Sequence, residues 1–233
     1  MNLDLAIVMP VYNEEECIES VLLDWLGVLD GLDVSYRMIV LDDGSKDRTA
    51  DKLAKFDGDS RIHVVKKVNT GHGPTILTGY KHAAGIAEWV FQCDSDNEMP
   101  ASGFRELWQK RSGYDAVLGY RVQRNQPLQR KVISVVARRT VSFLFGKGVF
   151  DVNVPYRLIQ SQVLSEIISR IPEDSFAPNV IISGVLVKRK VRVLNLPVLY
   201  QPRSTGHVSI VSFKLYRAAA LSFIQTLRVS KSL

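Results

Sequence analysis

Trp89-Val90-Phe91-Gln92-Cys93 is an apolar run of strand length, and Asp94-Ser95-Asp96-Asn97-Glu98 follows it without a break. A run this apolar reads as a buried strand, so two carboxylates stand at its end, one residue apart. Two anions held that close repel each other unless a cation sits between them. Hard oxygen ligands of this kind suit Mg²⁺ or Mn²⁺. A divalent ion at a strand end points to a phosphate-bearing substrate. Asp-x-Asp is common by chance, so its meaning depends on what surrounds it.

Working toward the N-terminus, strand and helix signals alternate as βαβ units do. Leu5 to Met9 is an apolar strand. Asn13 is placed to cap a helix whose first turn holds Glu14, Glu15 and Glu16, acids that favour the positive end of a helix dipole. Ile18, Val21, Leu22 and Trp25 recur at helical spacing. Met38 to Leu41 is the next strand, ending in Asp42-Asp43-Gly44-Ser45, and Asp47 begins a short helix through Lys55. Ile62 to Val65 is a third strand. Gly71-His72-Gly73-Pro74 is a loop leading into a helix from Thr75 to Ala87, after which the strand ending at Asp94 begins. The pattern predicts an α/β fold, Rossmann-like, with a mostly parallel sheet and helices on both faces. Ligands of such sheets gather at the carboxyl ends of the strands, so Asp42, Asp43, Asp94 and Asp96 are expected in one cleft.

Toward the C-terminus the pattern is less regular. Ala116 to Arg121 is a strand candidate. Gln126 to Leu144 reads as a basic amphipathic helix. Asp151 to Leu158 is a loop or strand, and Gln162 to Ile171 a helix. Val180 to Val187 and Val191 to Val198 read as two strands, and a last helix runs from about Ile210 to Val229. No repeat or linker interrupts the chain. The expected division is one domain over residues 1–209 and a basic amphipathic helix over 210–233 that either lies on a membrane surface or packs on its own domain or a partner.

Composition narrows the classes. The chain has 233 residues and is 46% hydrophobic, enough for a substantial core. Its two cysteines, Cys17 and Cys93, carry no disulfide pattern and point to a reducing, cytoplasmic compartment. No apolar run reaches the roughly 18 residues a membrane helix needs, and the N-terminus has no basic leader, so no signal peptide is expected. The net charge of +6 hides an asymmetry: residues 1–102 carry 9 Lys+Arg against 18 Asp+Glu, and residues 103–233 carry 21 against 6. A metal on the acidic side and anions on the basic side suit this division. The basic residues are not interleaved with aromatic stacking positions, which argues against nucleic acid.

The motifs in order resemble those of family 2 glycosyltransferases with the GT-A fold, in the branch of dolichol-phosphate mannosyltransferases and bacterial polyprenyl-phosphate glycosyltransferases. They are Val8-Met9-Pro10-Val11-Tyr12-Asn13-Glu14-Glu15, Val40-Leu41-Asp42-Asp43-Gly44-Ser45, Asn69-Thr70-Gly71-His72-Gly73-Pro74 with Gly79, and Asp94-Ser95-Asp96-Asn97-Glu98-Met99-Pro100. The resemblance spans roughly residues 5–210. It implies a metal-dependent, inverting enzyme that moves a sugar from a nucleotide-diphosphate donor to a polyprenyl phosphate. Pro10, Tyr12, Glu14, Asp42, Asp43, Gly71, Asp94 and Ser95 would then bind the donor. Asp94, Asp96 and Glu98 would surround Mg²⁺ or Mn²⁺, although relatives often carry Gln at the position of Glu98. Asp42-Asp43-Gly44-Ser45 also suits a side-chain-bonded turn, and a turn can still place one Asp inward.

The basic half carries the rest of the resemblance. Gly119-Tyr120-Arg121 resembles the branch's Gly-x-Arg, and Arg130 with Ser134 its Arg-x-x-x-Ser pair on one helix face. Arg121, Arg130 and Ser134 are the implied holders of the acceptor phosphate, arginine meeting phosphate oxygens two at a time. A solvated basic helix face is the plainer reading of Arg130 and its neighbours. Asp151 to Arg157 resembles the family's Asp-x-x-x-x-Phe-Arg segment, so Asp151 or Arg157 would face the acceptor. Arg203 would contact the diphosphate from a closing loop, with one residue more before Ser209 than in the mannosyltransferases. His63, His82 and His207 read as surface residues. With a phosphate acceptor no general base is required. With a sugar hydroxyl in cell-envelope polysaccharide synthesis, the alternative acceptor, Asp151 would take the proton. Asp96, Asp151 and Arg121 are thus the expected catalytic residues. A catalytically silent relative that binds nucleotide sugar or membrane is the non-enzymatic alternative. The enzyme would work peripherally on the cytoplasmic membrane face, with a membrane-protein partner or a second copy as possible associates. A phosphatase of the Asp-x-Asp type would carry the motif after its first strand, and a nicotinamide dehydrogenase would need Gly-x-Gly-x-x-Gly there. Neither is present.

Overall fold

A computed structural model describes residues 3–122, 128–201 and 212–231, without side chains at 128–131, 212–216 and 218. The strands are β1 (Leu3–Val11), β2 (Tyr36–Asp42), β3 (Ile62–Lys66), β4 (Ala87–Cys93), β5 (Ala116–Arg121), β6 (Tyr156–Gln160) and β7 (Val193–Val198). They form one sheet in the order β3-β2-β1-β4-β6-β5-β7. β1 runs parallel to β2 and β4, β2 to β3, and β5 to β7, while β6 is antiparallel to both its neighbours. The sheet is therefore mostly parallel, and both its faces are covered, as the apolar runs require.

Alternation along the strands sorts the core into two layers. Ile7, Met9, Met38, Val40 and Phe91 point to one face, where they meet α1 (Ile18–Asp30) and α4 (Phe104–Gln109). Ala6, Val8, Ile39, Leu41 and Val90 point to the other, under α3 (His72–Ala84), α6 (Ser161–Ile168) and α7 (Pro178–Lys188). On the first face Trp25 lies 5.3 Å from Phe91 and 5.7 Å from Phe104, and Tyr156 meets Phe91 edge-on at 4.8 Å. Fully buried side chains of this size stabilise by roughly 1.5–3 kcal/mol each, which fixes α1 on the sheet. α5 (Leu128–Phe145) and α8 (Ser212–Lys231) pack on each other and on α7. α8 buries Gln225, Thr226 and Val229, and the Gln225 amide accepts from Phe176 N–H, so at least this part of the helix packs on its own domain.

Three local expectations need correction. Val180 to Val187 is the body of α7, with Pro178 at its first turn. Every residue from Pro178 to Leu186 is buried, so the helix is apolar all round, and a short apolar run without periodicity cannot be told from a strand. Asn13 does not cap a helix. It takes a left-handed conformation (φ 55°), donates its N–H to Ser45 Oγ and accepts the Lys46 N–H, while α1 starts only at Ile18. The helix expected from Thr75 to Ala87 begins at His72 and ends at Ala84, because Gly71 (φ 94°) turns the chain straight into it and Ala87 already belongs to β4.

Candidate active site

A cavity of about 1400 Å³ opens at the carboxyl ends of β1, β2 and β4 and continues between α5, α7 and α8. At the β1 end it is lined by Pro10, Tyr12 and Glu14. Glu14 is 7% exposed, and its position is fixed by local bonds: its N–H donates to Thr49 Oγ1, which donates to Asp47, and Cys17 Sγ lies 3.2 Å from its Oε2. Asp47 also accepts the Glu15 N–H, so the turns after β1 and β2 are laced together.

The two acids after β2 part company. Asp42 Oδ1 accepts the Ser45 N–H in a local turn, and Asp42 does not line the cavity. Asp43 does. It accepts from the Lys67 ammonium and from the N–H groups of Thr70 and Gly71, both at 2.9 Å. Burial would raise the Asp43 carboxyl, but the Lys67 ammonium, the Thr70 N–H and the Thr75 hydroxyl outweigh it and hold the group below its ordinary value. Asp43 thus anchors the glycine loop, which brings Asn69, Gly71 and His72 to the cavity wall.

Asp94, Ser95, Asp96 and Glu98 form the floor at the end of β4. Burial raises the Asp94 carboxyl well above its ordinary value, and the Asp96 charge raises it further; Glu98 and Glu14 add to this and Arg121 opposes it. His72 Nε2 lies 3.6 Å from Asp94 Oδ1. Asp96 Oδ1 accepts the Glu98 N–H at 3.1 Å, which closes the turn. Among the described residues no three acidic, histidine or cysteine side chains converge into a metal cage. Mg²⁺ and Mn²⁺ sites on phosphate substrates use one or two carboxylates together with phosphate oxygens and water. Asp94 and Asp96, all-oxygen donors carrying excess negative charge, fit that pattern.

Opposite stands the basic wall. Arg121, at the end of β5, grips both oxygens of Asp151, with Nε to Oδ2 at 2.7 Å and an Nη to Oδ1 at 3.0 Å. Arg121, Asp151 and Ser134 all line the cavity. Arg157 does not. It is fully buried, donating to the carbonyls of Val154, Asn179 and Val152 and to Ser183 Oγ. Its cation is spent on backbone, so it is a structural residue and not an acceptor contact. The side chain of Arg130, and Arg203 with His207, lie outside the described residues. His63 and His82 are exposed, as expected. Phe176, Asn179 and the valines of α5 were not anticipated as lining. A polar Gln92 inside an apolar strand was the available signal for a buried network beneath the site.

The chain matches the family model described as glycosyl transferase family 2 over residues 6–168. The fold is that of GT-A glycosyltransferases. It resembles crystallised glucosyl-3-phosphoglycerate synthase from Mycobacterium tuberculosis in complex with Mn²⁺, uridine diphosphate and phosphoglyceric acid, with a TM-score of 0.71 and 16% identity over 98% of this chain and 78% of that one. It also resembles S. aureus TarS residues 1–349, with a TM-score of 0.55, 18% identity, and 87% and 59% coverage. Among curated proteins it is similar to the undecaprenyl-phosphate 4-deoxy-4-formamido-L-arabinose transferase of Pectobacterium atrosepticum, 26% identical over 207 residues and 87% of this chain. It spans 61% of that relative's length. This chain belongs to glycosyl transferase family 2.

Proposed function

We propose that this protein transfers a sugar from a nucleotide-diphosphate donor to a polyprenyl phosphate, with a divalent cation and with inversion at the anomeric carbon. The observation that carries the reading is the continuity of one cavity. It joins the carboxylates Glu14, Asp43, Asp94 and Asp96 to Arg121, and then to an apolar groove that includes Val132, Val136, Ala219 and Phe223. A donor with a charged diphosphate suits the first part, an acceptor phosphate the middle and an isoprenoid chain the last. The relative from Pectobacterium is named for undecaprenyl phosphate, and the synthase structure for Mn²⁺ and uridine diphosphate, which agrees with this assignment.

In this reading Pro10 and Tyr12 pack on the base, and Glu14 accepts from nucleoside N–H or hydroxyl groups. Asp94 and Asp96 would hold Mg²⁺ or Mn²⁺, which when bound neutralises charge on the departing nucleoside diphosphate. Arg121 and Ser134 orient the acceptor phosphate. An acceptor oxygen forms the bond to the anomeric carbon as the bond to the donor phosphate breaks, so in-line attack inverts that centre. No proton need be removed from a phosphate anion, and positioning with electrostatics is sufficient. Asp151 is held by Arg121 on both oxygens, which favours this acceptor over a sugar hydroxyl needing Asp151 as base.

Work at a membrane surface is part of the proposal. No helix among the described residues is long and apolar enough to cross a membrane. α5 and α8 nevertheless expose Val132, Val136, Leu221, Phe223 and Ile224 beside Arg138 and Arg217. The deciding assay incubates the protein with Mn²⁺ or Mg²⁺ and a panel of nucleotide sugars, with and without undecaprenyl phosphate. Nucleoside diphosphate release only with the lipid, lost in a folded Asp96→Asn variant, is the expected result. Release without dependence on lipid, or no turnover with any donor, refutes the assignment.

A further inference from the structure

Gln92 is the one buried polar side chain of β4, and it is fully buried. Its amide Nε2 donates to Asp94 Oδ1 at 3.2 Å. Its Oε1 accepts from Asn179 Nδ2 at 2.9 Å, and the Tyr80 hydroxyl lies 3.4 Å from both Gln92 Oε1 and Asn179 Oδ1. The amide nitrogen of Gln92 faces Asp94 and its oxygen faces Asn179, so the orientation of one amide sets that of the other. The backbone of Asn179 is itself held, because its main-chain carbonyl accepts from the buried Arg157 guanidinium. Gln92 and Arg157 are register partners across β4 and β6, so both ends of the chain are pinned by the sheet. The protein contacts of the Asp94 carboxylate, from Gln92 and from His72, both fall on Oδ1. Among the described residues no hydrogen bond reaches Oδ2.

We propose that Gln92, backed by Asn179, is a positioning residue that holds the Asp94 carboxylate by one oxygen and presents the other to a divalent cation. The proposal rests on the assignment of Asp94 to the cation in the proposed function. Neither Gln92 nor its hydrogen-bond partner Tyr80 lines the cavity, so Gln92 reaches it through Asp94 and Asn179, which do. Partners that orient a metal-ligating carboxylate typically change metal affinity by about 10–100-fold when removed.

The test is a Mn²⁺ titration of the full chain with uridine diphosphate present, following the spin-resonance signal of free Mn²⁺. Gln92→Met keeps the length and volume of the side chain and removes its hydrogen bonds to Asp94, Asn179 and Tyr80. It is expected to weaken Mn²⁺ binding by about 10–100-fold, while uridine diphosphate affinity without metal stays at the wild-type value. Asn179→Ala is expected to weaken Mn²⁺ less, and the double variant to bind no worse than Gln92→Met alone, because both changes release the same carboxylate. Wild-type Mn²⁺ affinity in Gln92→Met, in a protein whose Asp94→Asn variant has lost it, overturns the inference and leaves the proposed function standing. If Gln92→Met does not fold, wild-type affinity in Asn179→Ala overturns it equally. Failure of the wild-type protein to bind Mn²⁺ at all removes the reading of Asp94 itself, and the inference with it.

Discussion

Replacing Asp43 by Asn should destabilise the protein and loosen the donor side of the cavity together. The Asp43 side chain is 5% exposed and its partner Lys67 16%. Oδ1 accepts from Lys67 and Thr70 and Oδ2 from Gly71. An amide offers one acceptor oxygen, so in either orientation its NH₂ must point at a donor that cannot turn away. It also leaves the Lys67 cation without its counter-charge. Breaking a buried pair in this way costs about 3–5 kcal/mol, and the partial exposure of Lys67 puts the expectation at the lower end, about 3 kcal/mol. For a chain of this size that corresponds to a fall in Tm of about 6–12 °C. The pH dependence has a definite sign. Asp43 sits below its ordinary value in the folded protein. Its stabilisation is therefore fully present above the unfolded value of about 3.9, and is lost as pH falls through the lower folded value. Urea unfolding should show a constant gap between wild type and Asp43→Asn from neutral pH to about 5, closing below about 4. Loss of order in the 67–72 loop should also raise the KM for the donor. A gap below about 1 kcal/mol at neutral pH, or one that persists unchanged in acid, would refute the assigned role.

Three further outcomes follow from the geometry. Gly73→Ala would place a Cβ 2.1 Å from Ser175 O and 2.4 Å from Phe176 O, both backbone atoms, so one loop must move; a loss of about 3 kcal/mol or more is expected in thermal unfolding. Arg157→Met removes the donors to three buried carbonyls at about 1–3 kcal/mol for each unsatisfied group, and a Tm within a degree of wild type would show that those contacts contribute nothing. Arg121→Lys keeps the charge but forfeits the two-pronged grip on Asp151; turnover should fall about 10²-fold with little change in Tm, as read by steady-state kinetics and calorimetry on the same preparation.

The cavity floor was legible along the chain because its signals are local. An apolar run followed by Asp94-Ser95-Asp96 places carboxylates at a strand end whatever the rest of the fold does, and the same holds for Val40 to Asp43. Pro10, Tyr12, Glu14 and Gly71 came with the motif order and all line the cavity. Asp42 and Asp43 are adjacent acids of equal chemistry, and only the strand's pleat turns one into a local bond with Ser45 and the other toward Lys67. Arg157 looked as available as Arg121. Its burial follows from β6 running antiparallel between β4 and β5, which points that position under α7. Val180 to Val187 has no period to read, because α7 is enclosed on every side.

The alternation of strands and helices through β4 and the carboxylate-bearing turns at the ends of β2 and β4 were thus determined by the sequence itself, since each depends on neighbours a few residues away. Tertiary structure alone settled which acid of a pair faces the cavity, which arginine is buried, and how Gln92, Asn179 and Arg157 join beneath Asp94. Those contacts link residues 22 to 87 positions apart. Whether a polar side chain is sequestered or open to a ligand depends on what packs over it, and local sequence does not encode that.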